Sequence, residues 1–341
     1  KFVREATHVT EEQYVPSHTF QDFALHQLIK ANLVKKGYTE PTQIQDKAIP
    51  ASLQNLDVVG IANTGTGKTA AFMLPIINKL MKNRRERVLI IVPTRELAQQ
   101  IQAESRSFSI GARLYDAVLI GGAPIGRQLR DLQRSPEIII GTPGRIKDHL
   151  ERGSLKLDDV KTVVLDEVDR MLDMGFVADI RNILTSVPNN RQSMFFSATI
   201  TPTISTLIKT FTNNPVTIMA RTSETSDRVN QTVMHYKEKS EKIDKLHDLL
   251  ITEEVKRTII FCETKYGSDN LSKELTSRGF TSEAMHGNKT QGQRQRALGK
   301  FKNGDIEILV ATDVAARGID VDEVTHVINF DIPHTYDDYT H

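Results

Sequence analysis

Cysteine is almost absent from this 341-residue chain: Cys262 stands alone, so no disulfide can close within it. The ten histidines show no His-x-x-x-His spacing and there are no paired cysteines, which sets a structural zinc site aside. A reducing, cytoplasmic setting is the expectation. Long apolar runs are missing too. The purest, 88–92, falls far short of the ~18 residues that a membrane-spanning helix needs, so no membrane association is expected. No low-complexity tract and no repeat of ~20–50 residues occurs, which argues against a solenoid. An excess of one charge is lacking as well, since 44 Lys and Arg oppose 43 Asp and Glu. Residues 1–227 carry 28 basic against 24 acidic side chains, and residues 228–341 carry 16 against 19. Any nucleic acid must therefore be held by placed groups rather than by bulk positive charge. The chain opens on Lys1 and shows no charged-then-apolar leader, so it is expected to be a trimmed fragment of a protein that is not exported.

What is present reads as a soluble α/β protein. The composition, 39% hydrophobic and 26% charged, is ordinary for globular chains, and the length favours about two domains. Short β-branched runs at 57–61, 88–92, 117–120, 138–140, 162–165, 192–196 and 216–219 alternate with helical stretches, the pattern of a buried parallel sheet. The helix expected at 68–80 places Phe72, Ile76 and Leu80 on one stripe, with Pro75 bending or loosening it. The stretch 221–227 has no apolar residue and reads as a solvated connector. Beyond it the alternation restarts, with strands expected at 232–236, 258–262, 308–311 and 325–330 and helices at 265–278 and 291–302. The domains are thus set at 1–220 and 229–341 with a short polar linker, 221–228, between them.

Two segments bear chemistry. Thr64, Gly65, Thr66, Gly67, Lys68 and Thr69 follow the strand ending at Ile61 and open a helix. Glycines there let backbone N–H groups face phosphate oxygens, Lys68 reaches the outer phosphates and Thr69 can ligate Mg²⁺. The common pattern has Gly where Ala62 stands. After the strand 162–165 come Asp166, Glu167, Val168 and Asp169, at the end of a buried strand where ligands of open α/β sheets collect. Asp166 would hold Mg²⁺ and Glu167 would orient and deprotonate an attacking water. Acids after a strand are also commonly a solvated loop or helix cap.

With these segments in place the chain resembles the DEAD-box ATP-dependent RNA helicases of superfamily 2, from about Phe20 to His341. The further segments that match are 37–45 (Gly-Tyr-Thr-Glu-Pro-Thr-Gln-Ile-Gln), Pro93 to Ala98, Gly121-Gly122, Thr142-Pro143-Gly144-Arg145, Ser197-Ala198-Thr199, 260–264, His286-Gly287, 291–294 and 311–320. The resemblance implies two RecA-like domains in tandem, ATP with Mg²⁺, and RNA-stimulated hydrolysis, with Lys68, Asp166 and Glu167 as catalytic residues. It implies that Gln45, in a segment spanning about 18–46, reads the adenine edge, that Tyr38 stacks on the base with Phe20 behind it, and that Gly318 and Asp320 meet the ribose. An amide that must satisfy donor and acceptor together discriminates bases well; the plainer reading of Phe20 and Tyr38 is ordinary core aromatics.

The resemblance also assigns Pro93, Thr94, Arg95, Gly121, Gly122, Thr142, Gly144 and Arg145 to RNA in the first domain, and Thr264, Gly287, Arg294 and Thr312 in the second. Contacts of this kind go to sugar and phosphate, so single-stranded or short duplex RNA is expected without base preference. Asp169, Ser197 and Thr199 would couple the nucleotide to the RNA, or Ser197 and Thr199 simply cap a strand end. ATP and RNA would each bridge the two domains and close them, and the bent strand would leave its duplex. Two departures stand out. Val168 replaces the usual Ala and risks crowding. The chain also stops at Tyr339-Thr340-His341, where the family continues into an arginine-rich segment whose finger is worth ~10³–10⁵ in rate. A monomer is expected. The rivals are a DNA-directed translocase of the same superfamily and a non-enzymatic, ATP-dependent RNA clamp.

Overall fold

The computed structural model describes residues 14–63, 65–220, 230–252, 254–316, 321, 323–333 and 339. The expected connector 221–228, together with Thr64, Gly318 and Asp320, lies outside the described residues. The residues described between 14 and 220 form one compact unit and those from 230 onward a second.

The first unit is built on β1 (Val58–Ile61), β2 (Arg87–Ile91), β3 (Asp116–Leu119), β4 (Ile138–Gly141), β5 (Val160–Leu165), β6 (Gln192–Ser197) and β7 (Val216–Met219). They lie in the order β3-β4-β2-β5-β6-β1-β7, and every pairing is parallel. Successive strand residues point to opposite faces, and both faces are covered. Ile90, Ile138, Ile140, Val164 and Phe196 enter one core with the helices Gln27–Lys35, Gln43–Leu53, Lys68–Lys82 and Arg95–Phe108. Leu89, Ile91, Ile139, Val163, Leu165 and Phe195 enter the other, beneath Pro143–Glu151, Val177–Thr185 and Pro202–Phe211. That double burial is why these strands read as continuous apolar runs. The helix Lys68–Lys82 runs on through Pro75, which is buried in it.

The second unit holds β8 (Thr258–Phe261), β9 (Ser282–Met285), β10 (Ile308–Ala311) and β11 (His326–Asn329), in the parallel order β11-β8-β10-β9. Here one expectation is corrected. Residues 232–236 are not a strand: Val233, Met234 and Tyr236 are exposed, and no ladder among the described residues includes them. The alternation of that segment carried a strand signal, but among the described residues no strand lies beside it. Conversely β9 was invisible in the sequence, because it is an edge strand in which only Met285 is fully buried.

One glycine shows how tightly the sheet is set. A Cβ on Gly141, at the end of β4, would lie 2.7 Å from the Leu119 carbonyl oxygen of β3 and 2.9 Å from Ile146 Cγ1. Backbone cannot yield there without breaking the β3–β4 ladder. Gly141→Ala is therefore expected to destabilise the first unit by about 1–3 kcal/mol, the usual cost of overpacking, as read from the urea midpoint at unchanged m-value.

Candidate functional site

The sheet order sorts the motifs. The phosphate-loop segment leaves β1, Asp166 to Asp169 leave β5, and Ser197 to Thr199 leave β6, the strand between them. Ile61 is in register with Ser197, so β1 and β6 end level, and Leu165, in register with Phe195, ends β5 two residues earlier along the same edge. Parallel strands deliver their C-terminal ends to one edge, and a ligand there meets all three loops.

Along the first loop, the Ala62 N–H donates to the Ser197 carbonyl at 3.0 Å, and Lys68 Nζ donates to the Ala62 carbonyl at 3.0 Å. Ala62 is buried, so its methyl fits where the common pattern has glycine. Gly65 and Gly67 have φ +81° and +87°, which favours glycine at both. A Cβ on Gly67 would also collide with Gln45 Nε2, so this glycine makes room for that amide. Gly67 opens the helix Lys68–Lys82 with no side-chain cap, which leaves N–H groups of its first turn facing the loop. Thr69 sits in that turn, half-buried, and Thr66 Oγ1 donates to the Asn63 carbonyl at 2.8 Å.

Gln45 is buried and bonded on both sides of its amide: Oε1 accepts the Thr42 N–H at 3.0 Å, and Nε2 donates to the Gly67 carbonyl at 3.1 Å. Thr42 Oγ1 adds a bond to the Thr66 carbonyl at 2.8 Å. The amide thus ties the helix Gln43–Leu53 to the loop that follows β1. Phe20 is a core aromatic, 3% exposed; its ring lies edge-on to Tyr38 at 5.7 Å, and Tyr38 in turn meets Phe108 at 5.7 Å.

At the end of β5, Asp166 is 2% exposed. Burial pushes its carboxyl up to about 6, opposed by the Lys68 ammonium and reinforced by Glu167. Glu167 takes a left-handed conformation, φ 54° and ψ 53°, which strains a residue with a Cβ. Its Oε2 lies 3.4 Å from Arg170 Nη1 in an ion pair with both side chains 5% exposed. Arg170 was missed in the sequence, although its i,i+3 spacing from Glu167 was a usable signal. Val168 does not crowd the site in the way its replacement of Ala led one to expect. It opens the helix Val168–Asp173 and is fully buried in the second core, so its two extra methyl groups are packed rather than crowding the acids.

Asp169 joins β5 to β6. Its Oδ2 accepts the N–H groups of Ala198 and Thr199, both at 2.9 Å, and Thr199 Oγ1 at 3.2 Å, while its own N–H donates to Ser197 Oγ at 3.3 Å. Burial alone would raise this carboxyl, but hydrogen bonds from Thr199, Ser197 and Arg170 hold it below its ordinary range.

The loops after β2, β3 and β4 form the other half of the edge. Pro93 and Thr94 follow β2, and Thr94 caps the helix Arg95–Phe108 by accepting the Leu97 N–H at 3.2 Å. The Arg95 guanidinium crosses Gly121 and Gly122, where a Cβ on the second would strike Nη1 and one on the first would lie 3.0 Å from Nη2. Thr142 stands at the N-cap of Pro143–Glu151 without a side-chain capping bond, and Gly144 is exposed with open space where a Cβ would stand. Arg145 pairs loosely with Asp148 at 3.6 Å, and its buried Nη1 has no hydrogen-bond partner among the described residues.

Residues 42–207 match the family described as DEAD/DEAH box helicase, and residues 241–341 match the helicase conserved C-terminal domain. The chain is 46% identical over 325 residues to a DEAD-box ATP-dependent RNA helicase CshA of Geobacillus kaustophilus, covering 95% of this chain and 69% of that protein. It is a DEAD-box helicase family member. An ATP-dependent RNA helicase CshA of Listeria monocytogenes is 45% identical, over 94% of this chain and 62% of its own length. The chain therefore spans about two thirds of these relatives. Among solved structures, S. cerevisiae Dbp5 bound to RNA and ADP BeF3 superposes with a TM-score of 0.83 at 26% identity, over 94% of this chain and 84% of that one. A DEAD box protein from Methanococcus jannaschii gives 0.58 at 36% identity, over 96% and 88%. The two parallel sheets are thus the RecA-like pair of this family.

In the second unit of this DEAD-box protein the same rule of strand ends applies. Thr264 follows β8, Gly287 follows β9 and Thr312 follows β10, three adjacent strands. Thr264 is exposed and accepts the Gly267 N–H at 2.9 Å, while Lys265 Nζ reaches across to Asn288 Oδ1 at 3.1 Å. Gly287 is exposed beside Lys265. Arg294 and Thr312 are buried, and Arg294 Nη2 donates to the Ala315 carbonyl at 3.4 Å. Among the described residues no helix is long and apolar enough to cross a membrane.

Proposed function

We propose that this chain is an RNA-stimulated ATPase that acts as an ATP-dependent RNA helicase, gripping the RNA backbone and separating short duplexes locally. The observation that carries the reading is the Asp169 network, which links the loop bearing Asp166 and Glu167 to Ser197–Thr199 on the neighbouring strand. In this reading the uncapped helix start at Lys68 and the glycine turn hold the triphosphate, Lys68 neutralises its outer oxygens, and Gln45 offers its amide to the adenine edge. Thr69 and the buried Asp166 would hold Mg²⁺; a carboxylate and a hydroxyl suit a hard cation that keeps most of its waters and completes its shell with phosphate. That ion would neutralise charge on the transferring phosphoryl group. Glu167, fixed by its backbone and by Arg170, orients the attacking water and takes its proton.

Arg95, Thr142, Gly144 and Arg145 present a guanidinium, short side chains and open backbone to phosphates, and Thr264, Gly287, Arg294 and Thr312 are assigned the same task. The domain limits 1–220 and 229–341 and a cytoplasmic setting belong to this proposal. The test is ATP hydrolysis by the full chain with and without single-stranded RNA. A rise of tenfold or more with RNA is expected; equal rates would remove the coupling, and equal stimulation by duplex DNA would favour a DNA translocase.

A further inference from the structure

Asp46 follows Gln45 on the first turn of Gln43–Leu53, is 3% exposed, and has no place in the chemistry above. Its carboxylate gathers three donors from a segment almost thirty residues upstream. Tyr14 Oη donates to Oδ2 at 2.5 Å, the Ser17 N–H donates to Oδ2 at 2.8 Å, and His18 Nδ1 lies 2.7 Å from Oδ1. Burial would raise this carboxyl, but the bonds from Tyr14, Ser17 and His18 together hold it below its ordinary range. The Tyr14 hydroxyl is pushed up to about 12, first by burial and then by its bond to Asp46. The Lys47 ammonium stands 5.8 Å from the Tyr14 ring centroid.

The strap so fastened leads straight into the aromatic cluster. The His18 ring lies 5.5 Å from Phe23, and Thr19 is locked to Asp22 by its N–H at 2.6 Å and its hydroxyl at 2.8 Å. The next residue, Phe20, then meets Phe23 at 6.0 Å and Tyr38 at 5.7 Å. One buried carboxylate therefore fixes the segment that delivers Phe20 to Tyr38, while its sequence neighbour Gln45 is fixed to the phosphate loop from the other side.

We propose that Asp46 is a positioning residue for the nucleotide base, acting through the 14–20 strap on Phe20 and Tyr38 and through the helix turn on Gln45, without touching the ligand. The inference rests on the ATPase reading and concerns only the base end of that site. Its physical content is preorganisation: segments ordered before binding need not lose that freedom when the ligand arrives. Release of the strap should then weaken base binding, with the phosphate end and the chemical step left as they are.

The experiment compares Asp46→Asn and the milder Tyr14→Phe with wild type in the full chain, measuring KM and kcat for ATP and the inhibition constant of inorganic tripolyphosphate, which has no base. Asparagine keeps the volume but cannot accept from all three donors. Expected are a KM for ATP raised about 10-fold in Asp46→Asn and about 3-fold in Tyr14→Phe, kcat within about twofold, and an unchanged tripolyphosphate constant. An unchanged KM in both variants, or equal weakening of ATP and tripolyphosphate, overturns the inference while leaving the ATPase reading intact. Absence of ATP turnover in the wild-type chain would overturn that reading and the inference with it.

Discussion

Glu167→Gln is expected to lower RNA-stimulated ATP turnover by about 10²- to 10⁴-fold, the usual contribution of a positioned general base, with ATP affinity changed little. Glutamine preserves the volume of a buried side chain, but it cannot take a proton, and it gives up the charge that faces Arg170 at 3.4 Å. The left-handed backbone at Glu167 supports the assignment, since strain of this kind persists where the surrounding structure fixes a side chain for a task. Single-turnover measurement separates the chemical step from product release. If turnover in the variant equals wild type, Glu167 is not the base; if the variant loses turnover but none of the protein's function on RNA, the protein is a clamp rather than an enzyme.

Asp169→Ala should have the second largest effect, and on two readouts. The Ala198 and Thr199 N–H groups lose their acceptor, and so does the Thr199 hydroxyl. Because Thr199 is exposed and water can replace part of what is lost, the cost is set at about 2–3 kcal/mol rather than the full penalty of two buried orphans. Chemical denaturation of the variant gives that number. Stimulation of ATP hydrolysis by RNA should fall further than basal hydrolysis, because Asp169 is bonded to the Ser197–Thr199 loop. The pH dependence has a definite sign. A carboxyl whose folded value is depressed contributes stability that is present above its ordinary value of ~3.9 and lost as pH falls through the folded value. The wild type should therefore lose its margin over the variant on the acid side only.

All seven strands of the first unit could be read from the sequence, because a parallel sheet buried on both faces writes itself as apolar runs. The second unit was less transparent. Ser282–Met285 is an edge strand with one buried side chain and left no run to detect, while 232–236 alternates like a strand and joins no sheet among the described residues. At the site, Lys68, Asp166 and Glu167 could be named from their place at strand ends. Arg170 could have been found from helix spacing. Asp46 could not, since its partners at 14–18 carry no periodicity that points to residue 46. The crowding expected of Val168 failed for a similar reason: its neighbours in the chain do not reveal the core that surrounds it.

The linear order of residues, by itself, determined which chemical groups this protein owns and that each sits at the end of a strand, because local geometry and short spacing suffice for that. Which strands stand side by side was decided only by the tertiary structure. The order β3-β4-β2-β5-β6-β1-β7 gathers the phosphate loop, Asp166–Asp169 and Ser197–Thr199 on one half of the sheet edge, and Arg95, Gly121–Gly122 and Thr142–Arg145 on the other. No local rule gives that order, since crossover connections let consecutive strands lie far apart and distant ones adjacent.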